Sequence, residues 1–152
     1  MRAPSSTRHR SKTLATWIAV IGGGLGLHRF YLHGWRDGWG WLHPLPFALG
    51  AYGVWRAVEF GQDDALSWAL IPLLGLVLAQ SMLAAIVYGL TPDERWNARH
   101  NACGRPSTSG WAAVIGVVIA LFVGAGVLMA TLAFSAQRYF EWQVEEGRRI
   151  SQ

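Results

Sequence analysis

Within sixteen residues the chain places His28, Arg29, His33, Asp37 and His43. Imidazoles can ligate a metal or haem, and an imidazole beside a carboxylate can move protons. The spacing argues against both. His28 and His33 are five apart, so they do not share a helical face, and Asp37 is the only carboxylate of the group. No cysteine or acidic cluster completes a ligand set, so no metal site is expected and interfacial hydrogen bonding is the stronger reading. Just before them, Val20-Ile-Gly-Gly-Gly-Leu-Gly26 imitates a dinucleotide-binding loop. Such a loop needs a helix behind it and an acidic residue about twenty positions on. The segment that follows reads as a turn, so no cofactor is expected. Gly22 and Gly26 read instead as a small-residue pair that lets a neighbouring backbone approach. A similar face runs through Ala112, Gly116, Ala120 and Gly124.

Larger catalytic arrangements are missing as well. No GxSxG, HExxH or Ser/His/Asp pattern is present. His28 and Glu59 fall at opposite ends of the helices that would carry them, because the 16 residues from Lys12 to His28 correspond to about 24 Å of helix. The single cysteine, Cys103, excludes an intramolecular disulfide and a CxxC site. The chain therefore reads as a protein without catalysis.

The elements around these residues are apolar to an unusual degree. Only 14% of the 152 residues are charged, against about 25% in soluble domains. Residues 65–92 and 106–137 hold no Asp, Glu, Lys or Arg. A span needs about 20 mainly apolar residues, and four runs qualify: Leu14–Leu32, Trp41–Val58, Leu66–Leu90 and Trp111–Phe134. Helices are the expected form, because open strands leave backbone groups unpaired in lipid. The expected fold is an all-α integral membrane protein of four transmembrane helices arranged as two hairpins. Several of the nine tryptophans stand at the edges of these runs, as interfacial anchors do. Residues 1–11 read as a disordered basic tail, retained and not cleaved as a signal peptide. Residues 66–134 form the second hairpin, with a polar loop at 91–110. In that loop Thr91 would cap a short surface helix over 92–101. The polar tail 135–152 would extend the fourth helix. Twelve of the 13 basic residues are arginines, but they are divided among run ends and form no stripe, so nucleic acid is not an expected partner.

Residues 12–60 resemble a known membrane module. The matching positions are Lys12, Gly23, Gly26, His28, Arg29, Phe30, Tyr31, Leu32, Gly34, Gly38, Trp55 and Glu59. This pattern is similar to the TM2 domain, with its Lys-initiated helix, its Arg-Phe-Tyr-Leu core, its glycine-spaced turn and its second helix ending in Trp and an acidic residue. Glu59 stands where the family usually has Asp. The resemblance implies a two-helix hairpin in a multi-pass membrane protein and hardly any chemistry. In such a hairpin Arg29 would approach Asp37 and His43, and Glu59 would approach Lys12.

The expected function is association of helices in the bilayer, with a second copy or another membrane protein. The alternative is a small oligomeric transporter or channel lined by Gln80 and Ser81. Four spans place both termini on one side. Eight Lys/Arg against five then favour the cytoplasm for that side, in a bacterial inner membrane. The resemblance implies the inverse, with the Arg-Phe turn cytoplasmic.

Overall fold

The computed structural model describes residues 9–61 and 63–151, and every regular element among them is helical. Residues 1–8, which hold most of the expected basic tail, lie outside the described residues. Seven α-helices follow: α1 Lys12–Gly22, α2 Leu27–His33, α3 Gly38–Leu42, α4 Pro44–Phe60, α5 Ala65–Leu90, α6 Asp93–His100 and α7 Trp111–Ile150.

Two helices are long and apolar enough to cross a bilayer, α5 and α7. Only 22% of the most apolar window of each is buried, so these are not the enclosed core helices of a soluble domain. Their outer faces show Leu76, Leu83, Val118 and Phe122 to the surroundings. Asp64 starts α5 by accepting from the Ser67 N–H at 3.0 Å. The 40 residues of α7 amount to about 60 Å at 1.5 Å per residue, twice the roughly 30 Å of a hydrocarbon core. The polar tail therefore does continue the last helix, as far as Ile150.

The run expected as the first span is not one helix. Ser11 caps α1 through Leu14 N, but α1 stops at Gly22 after 11 residues. A 3-10 turn covers Gly23–Leu25, and Gly26 takes the left-handed φ of +74°. That conformation favours glycine, and a Cβ there would also lie 2.6 Å from Gly40 O. The chain then reverses. The segment expected to be a turn forms α2, which climbs back toward the start of α1. Tyr31 Oη accepts from Ser11 N at 2.9 Å, and Ala15, Leu32 and Trp96 share one buried cluster. After a turn at 34–37, α3 begins at the Asp37 cap. Pro44 then opens α4, at a position where its missing N–H is harmless.

Helix α5 organises the bundle, with α1, α4 and α7 all packed on it. Glycines permit the close approaches: Gly23 against Ser81, Gly50 against Leu74, Gly53 against Leu70 and Gly124 against Met82. Read along α5, these contacts show that α1 covers the half between Thr91 and Ser81, while α4 covers the half from Gln80 to the start. The two arms of the first hairpin are thus stacked end to end on α5 and cross the bundle once between them, with α2 and α3 folded back at the join.

This arrangement corrects the expected topology. Lys12 pairs with Asp93 of the 91–110 segment at 2.7 Å, and Trp17 reaches Ala112 at the start of α7. At the far end Arg56 pairs with Asp64 and Arg138 lies over Trp68. The start of the described chain and its end therefore sit at opposite ends of the bundle. Two antiparallel hairpins with both termini together do not describe it. Nor does Glu59 approach Lys12: it is exposed at the far end.

Candidate functional site

The polar groups concentrate at the Lys12 end, where they form a latch. The Lys12 ammonium is buried and donates to Thr91 O at 2.7 Å as well as pairing with Asp93. Ser109 binds both carboxylate oxygens of Asp93. These partners hold the Asp93 carboxyl at about 2, the Lys12 hydrogen bond being the largest cause. Trp96 Nε1 and Asn101 Nδ2 both donate to Arg10 O, while Asn101 Oδ1 accepts from Arg10 N. Asn97 clasps both backbone groups of Ser107, at 2.9 and 2.7 Å. The chain start, α6 and the loop before α7 are thereby tied into one polar cap. Thr91 is not the cap of α6: its hydroxyl bonds back to Val87 O and Pro92 takes the capping position.

The motif residues frame the other side of this cap. Arg29 Nε donates to Asp37 Oδ2 at 2.8 Å, and His33 Nδ1 lies 3.7 Å from the same oxygen. Arg29 is the largest cause lowering the Asp37 pKa. Phe30 stacks on Trp35 and meets Trp41 edge-on, so the Arg-Phe-Tyr core is a packing unit for the turn. Gly34 has φ +85° and ends α2 by sending its N–H to Phe30 O. Gly38 is the first residue of α3 and has open space around it.

His28 is buried, with its ring 5.6 Å from His43 and 5.9 Å from Tyr88. Its Nδ1 has no hydrogen-bond partner. His43 Nδ1 meets Trp39 O at 2.7 Å, and its Nε2 lies 3.5 Å from Gln80 Nε2. Histidines 28 and 43 do converge, whereas His33 turns away to Asp37. Among the described residues no group of three or more His, Cys, Asp or Glu is placed to hold a metal. Ser81 is buried against Gly23 and donates to Leu78 O.

Gly22 and Gly26 do not share a helical face, because α1 ends between them; Gly22 faces Leu27 of the returning chain. The glycine that meets α5 is Gly23. On α7 the buried small face is Ala113, Gly116, Ala120 and Gly124, with Ala112 outside it. That face is used within the chain, against Thr16 of α1 and Met82 of α5. Missing from the sequence reading were Asp93, Asn97, Asn101 and Ser107. Their only advance sign was a polar loop too rich in Asn and Ser for simple solvation.

A cavity of about 400 Å³ opens between α2, α6 and the end of α5. Arg29 and His33 form one wall, Arg95 and Arg99 the other, and Tyr88 and Trp96 contribute to its floor. His100 borders it, with a pKa lowered first by burial and then by Arg10, Arg99 and His33.

No curated protein and no solved structure matches the chain. The family model of the TM2 domain matches residues 8–60, the stretch that carries the latch lysine, the returning α2 and the whole of α4. Together with two outward-facing apolar helices, this match over residues 8–60 points to a membrane protein.

Proposed function

We propose that the chain is a non-enzymatic multi-pass protein of a bacterial cytoplasmic membrane that acts through helix association. The observation that carries this reading is the free length of α7. Beyond Arg138, the residues Tyr139, Phe140, Trp142 and Val144 are each more than half exposed. Tyr139 and Trp142 suit an interfacial belt. Phe140, Val144 and Gly147 recur at helical spacing and offer a seam to a second copy lying parallel. The small-residue faces are consumed inside the chain, so this seam is the surface left for association. The test uses a Cys103→Ser background with single cysteines at 140, 142 or 144, oxidised in native membranes. Disulfide-linked dimers at 140 and 144 but not 142 are expected; no crosslink at any position, with no partner recovered, would overturn the reading.

The same proposal includes a topology. The composite of α1 and α4, then α5, then α7 make three crossings, with the termini on opposite sides. Arg10, Lys12, Arg29, Arg36 and the three arginines of 91–110 gather at one end; Arg56, Arg138, Arg148 and Arg149 lie at the other. The positive-inside preference puts the Lys12 end in the cytoplasm and the end of α7 outside.

A transporter or channel is the second reading, supported by the orphaned His28 Nδ1 beside His43 and Gln80 at the tip of the returning pair. Irregular backbone at membrane depth is tolerated where it is buried or lines a cavity. Proteoliposomes with no ion or solute flux above empty vesicles would remove it.

A further inference from the structure

The cavity between α2 and α6 has a charge pattern that the latch does not explain. Arg29 and His33 are four apart on α2, and Arg95 and Arg99 are four apart on α6. Like charges at that spacing repel, as Arg95 and Arg99 do along α6, and Arg29 faces them from α2 across about 400 Å³. Among the described residues no carboxylate lines the cavity. Asp37 holds Arg29 through Nε, which leaves the two outer guanidinium nitrogens without a bonded partner among the described residues. Glu94 sits on α6 but does not line the space, and Asp93 is engaged by Lys12 and Ser109. Arg95 and Arg99 have no ion pair or hydrogen bond through their side chains among the described residues, whereas Lys12, Arg29, Arg56 and Arg138 each have an acidic partner.

Beneath the basic rim lie Leu32, Val87, Tyr88 and Trp96. Val87 and Tyr88 belong to the last turn of an apolar helix, so the cavity sits where that helix leaves the bilayer. A basic rim over an apolar floor at that depth matches a molecule with a phosphate above and hydrocarbon below. Guanidinium groups bind phosphate oxygens through paired N–H donors, and basic pockets between helices at the cytoplasmic face take anionic headgroups.

We infer that this cavity binds a phosphate group, presented by an anionic phospholipid headgroup at the membrane surface. Arg95 and Arg99 grip the phosphate from α6, and Arg29, aimed by Asp37, meets it from α2. The latch through Lys12 and Asp93 fixes α6 at the distance this requires. Because the site is built by the TM2 segment and by α6 together, the TM2 segment alone would lack half of it.

The experiment uses the full chain, purified in mild detergent and examined by native mass spectrometry after exchange with phosphatidylglycerol or phosphatidylcholine. Wild type is expected to retain phosphatidylglycerol in clear excess over phosphatidylcholine. The exposed α6 variant R95A/R99A is expected to lose that preference by roughly tenfold or more, with an unchanged melting temperature. The variant R148A/R149A removes the same charge from the far end and is expected to behave as wild type. Inorganic phosphate provides the other arm: competition by millimolar phosphate with no lipid retained assigns the site to a soluble phosphate, and retained lipid without competition assigns it to the headgroup. Equal retention by R95A/R99A, or equal loss in R148A/R149A, would overturn the inference, as would a wild type that binds neither probe.

Discussion

The two ends of the bundle are built differently. At the Lys12 end a buried ammonium, four clasping polar side chains and a returning helix tie three stretches of chain together. At the other end a single strong pair, Arg56 with Asp64, closes the turn before α5, and α7 simply runs on. The difference teaches where a glycine-rich break is affordable. The reversal at Gly22–Gly26 leaves backbone groups that need partners, and Gly23 and Gly24 are buried against α4 and α5 to supply that shelter. The latch then holds the reversed chain in place. The far end has no such break and needs no such clamp.

The most decisive way to break this comparison is topological. A reporter active only outside the cytoplasm is expected to be active when fused after Gln152 and silent when fused within residues 95–105. The same signal at both sites would place both ends on one side and remove the three-crossing arrangement.

Next in size is overpacking between the half-length helix and α5. Gly50→Val drives side-chain atoms into the Leu74 backbone and should cost about 3 kcal/mol. Thermal unfolding in detergent would read this as a large fall in melting temperature; an unchanged one would show that α4 does not lie where Gly50 meets α5.

The latch comes third. Lys12→Ala leaves Thr91 O without its donor and Asp93 with only its Ser109 bonds, and should cost about 1–3 kcal/mol. Amide exchange is expected to accelerate at Ser107 and Ser109 while the turn at Asp64 stays protected. If protection is lost equally at both ends, the latch is not a local device.

Acid sharpens the same contrast. Asp93 is held at about 2, against 3.8 for an ordinary aspartate. A lowered carboxyl stabilises the folded state fully above its unfolded value and loses that contribution as pH falls through the folded one. The latch should therefore be intact at pH 5 and release between about 4 and 2. Asp64 is also lowered, chiefly by its hydrogen bond from Arg56, so the start of α5 should loosen in acid too. Amide exchange in Lys12→Ala is expected to keep only part of its acid dependence at Ser109, whose own bonds to Asp93 remain, and to keep all of it at Ser67.

The smallest effect belongs to the free helix. Gly147 has open space around it, so Gly147→Ala should stabilise the end of α7 by roughly 0.5–1 kcal/mol. Slower amide exchange confined to the last turns is the expected result; a change at the Lys12 end would mean that α7 is coupled to the latch.

Much of the fold was legible because lipid imposes a one-dimensional rule. Two charge-free stretches of more than 25 residues can be long helices and little else, and α5 and α7 fall where the apolar pattern put them. The Arg29–Asp37 contact was legible too, since eight residues and a glycine turn leave few alternatives. The helical extension through 135–150 was legible from Tyr139, Phe140, Trp142 and Val144 in an otherwise polar tail.

What the sequence by itself determined is thus composition-level: helices, membrane, the TM2 stretch and the polar loop. Tertiary structure decided the rest. Whether Gly22–Gly26 is a packing face or a reversal depends on what stands beside it, and only the nearness of Ser81, Phe47 and Gly40 shows that the chain turns back. The partner of Lys12 is 81 positions away at Asp93, not in its own hairpin, because α1 and α4 lie end to end on α5 and the close of α4 is carried to the far end. Hydropathy counts apolar residues along the chain; it does not record which apolar helix another will choose to pack on, and that choice set the end of the bundle at which each described terminus lies and the place of the basic cavity.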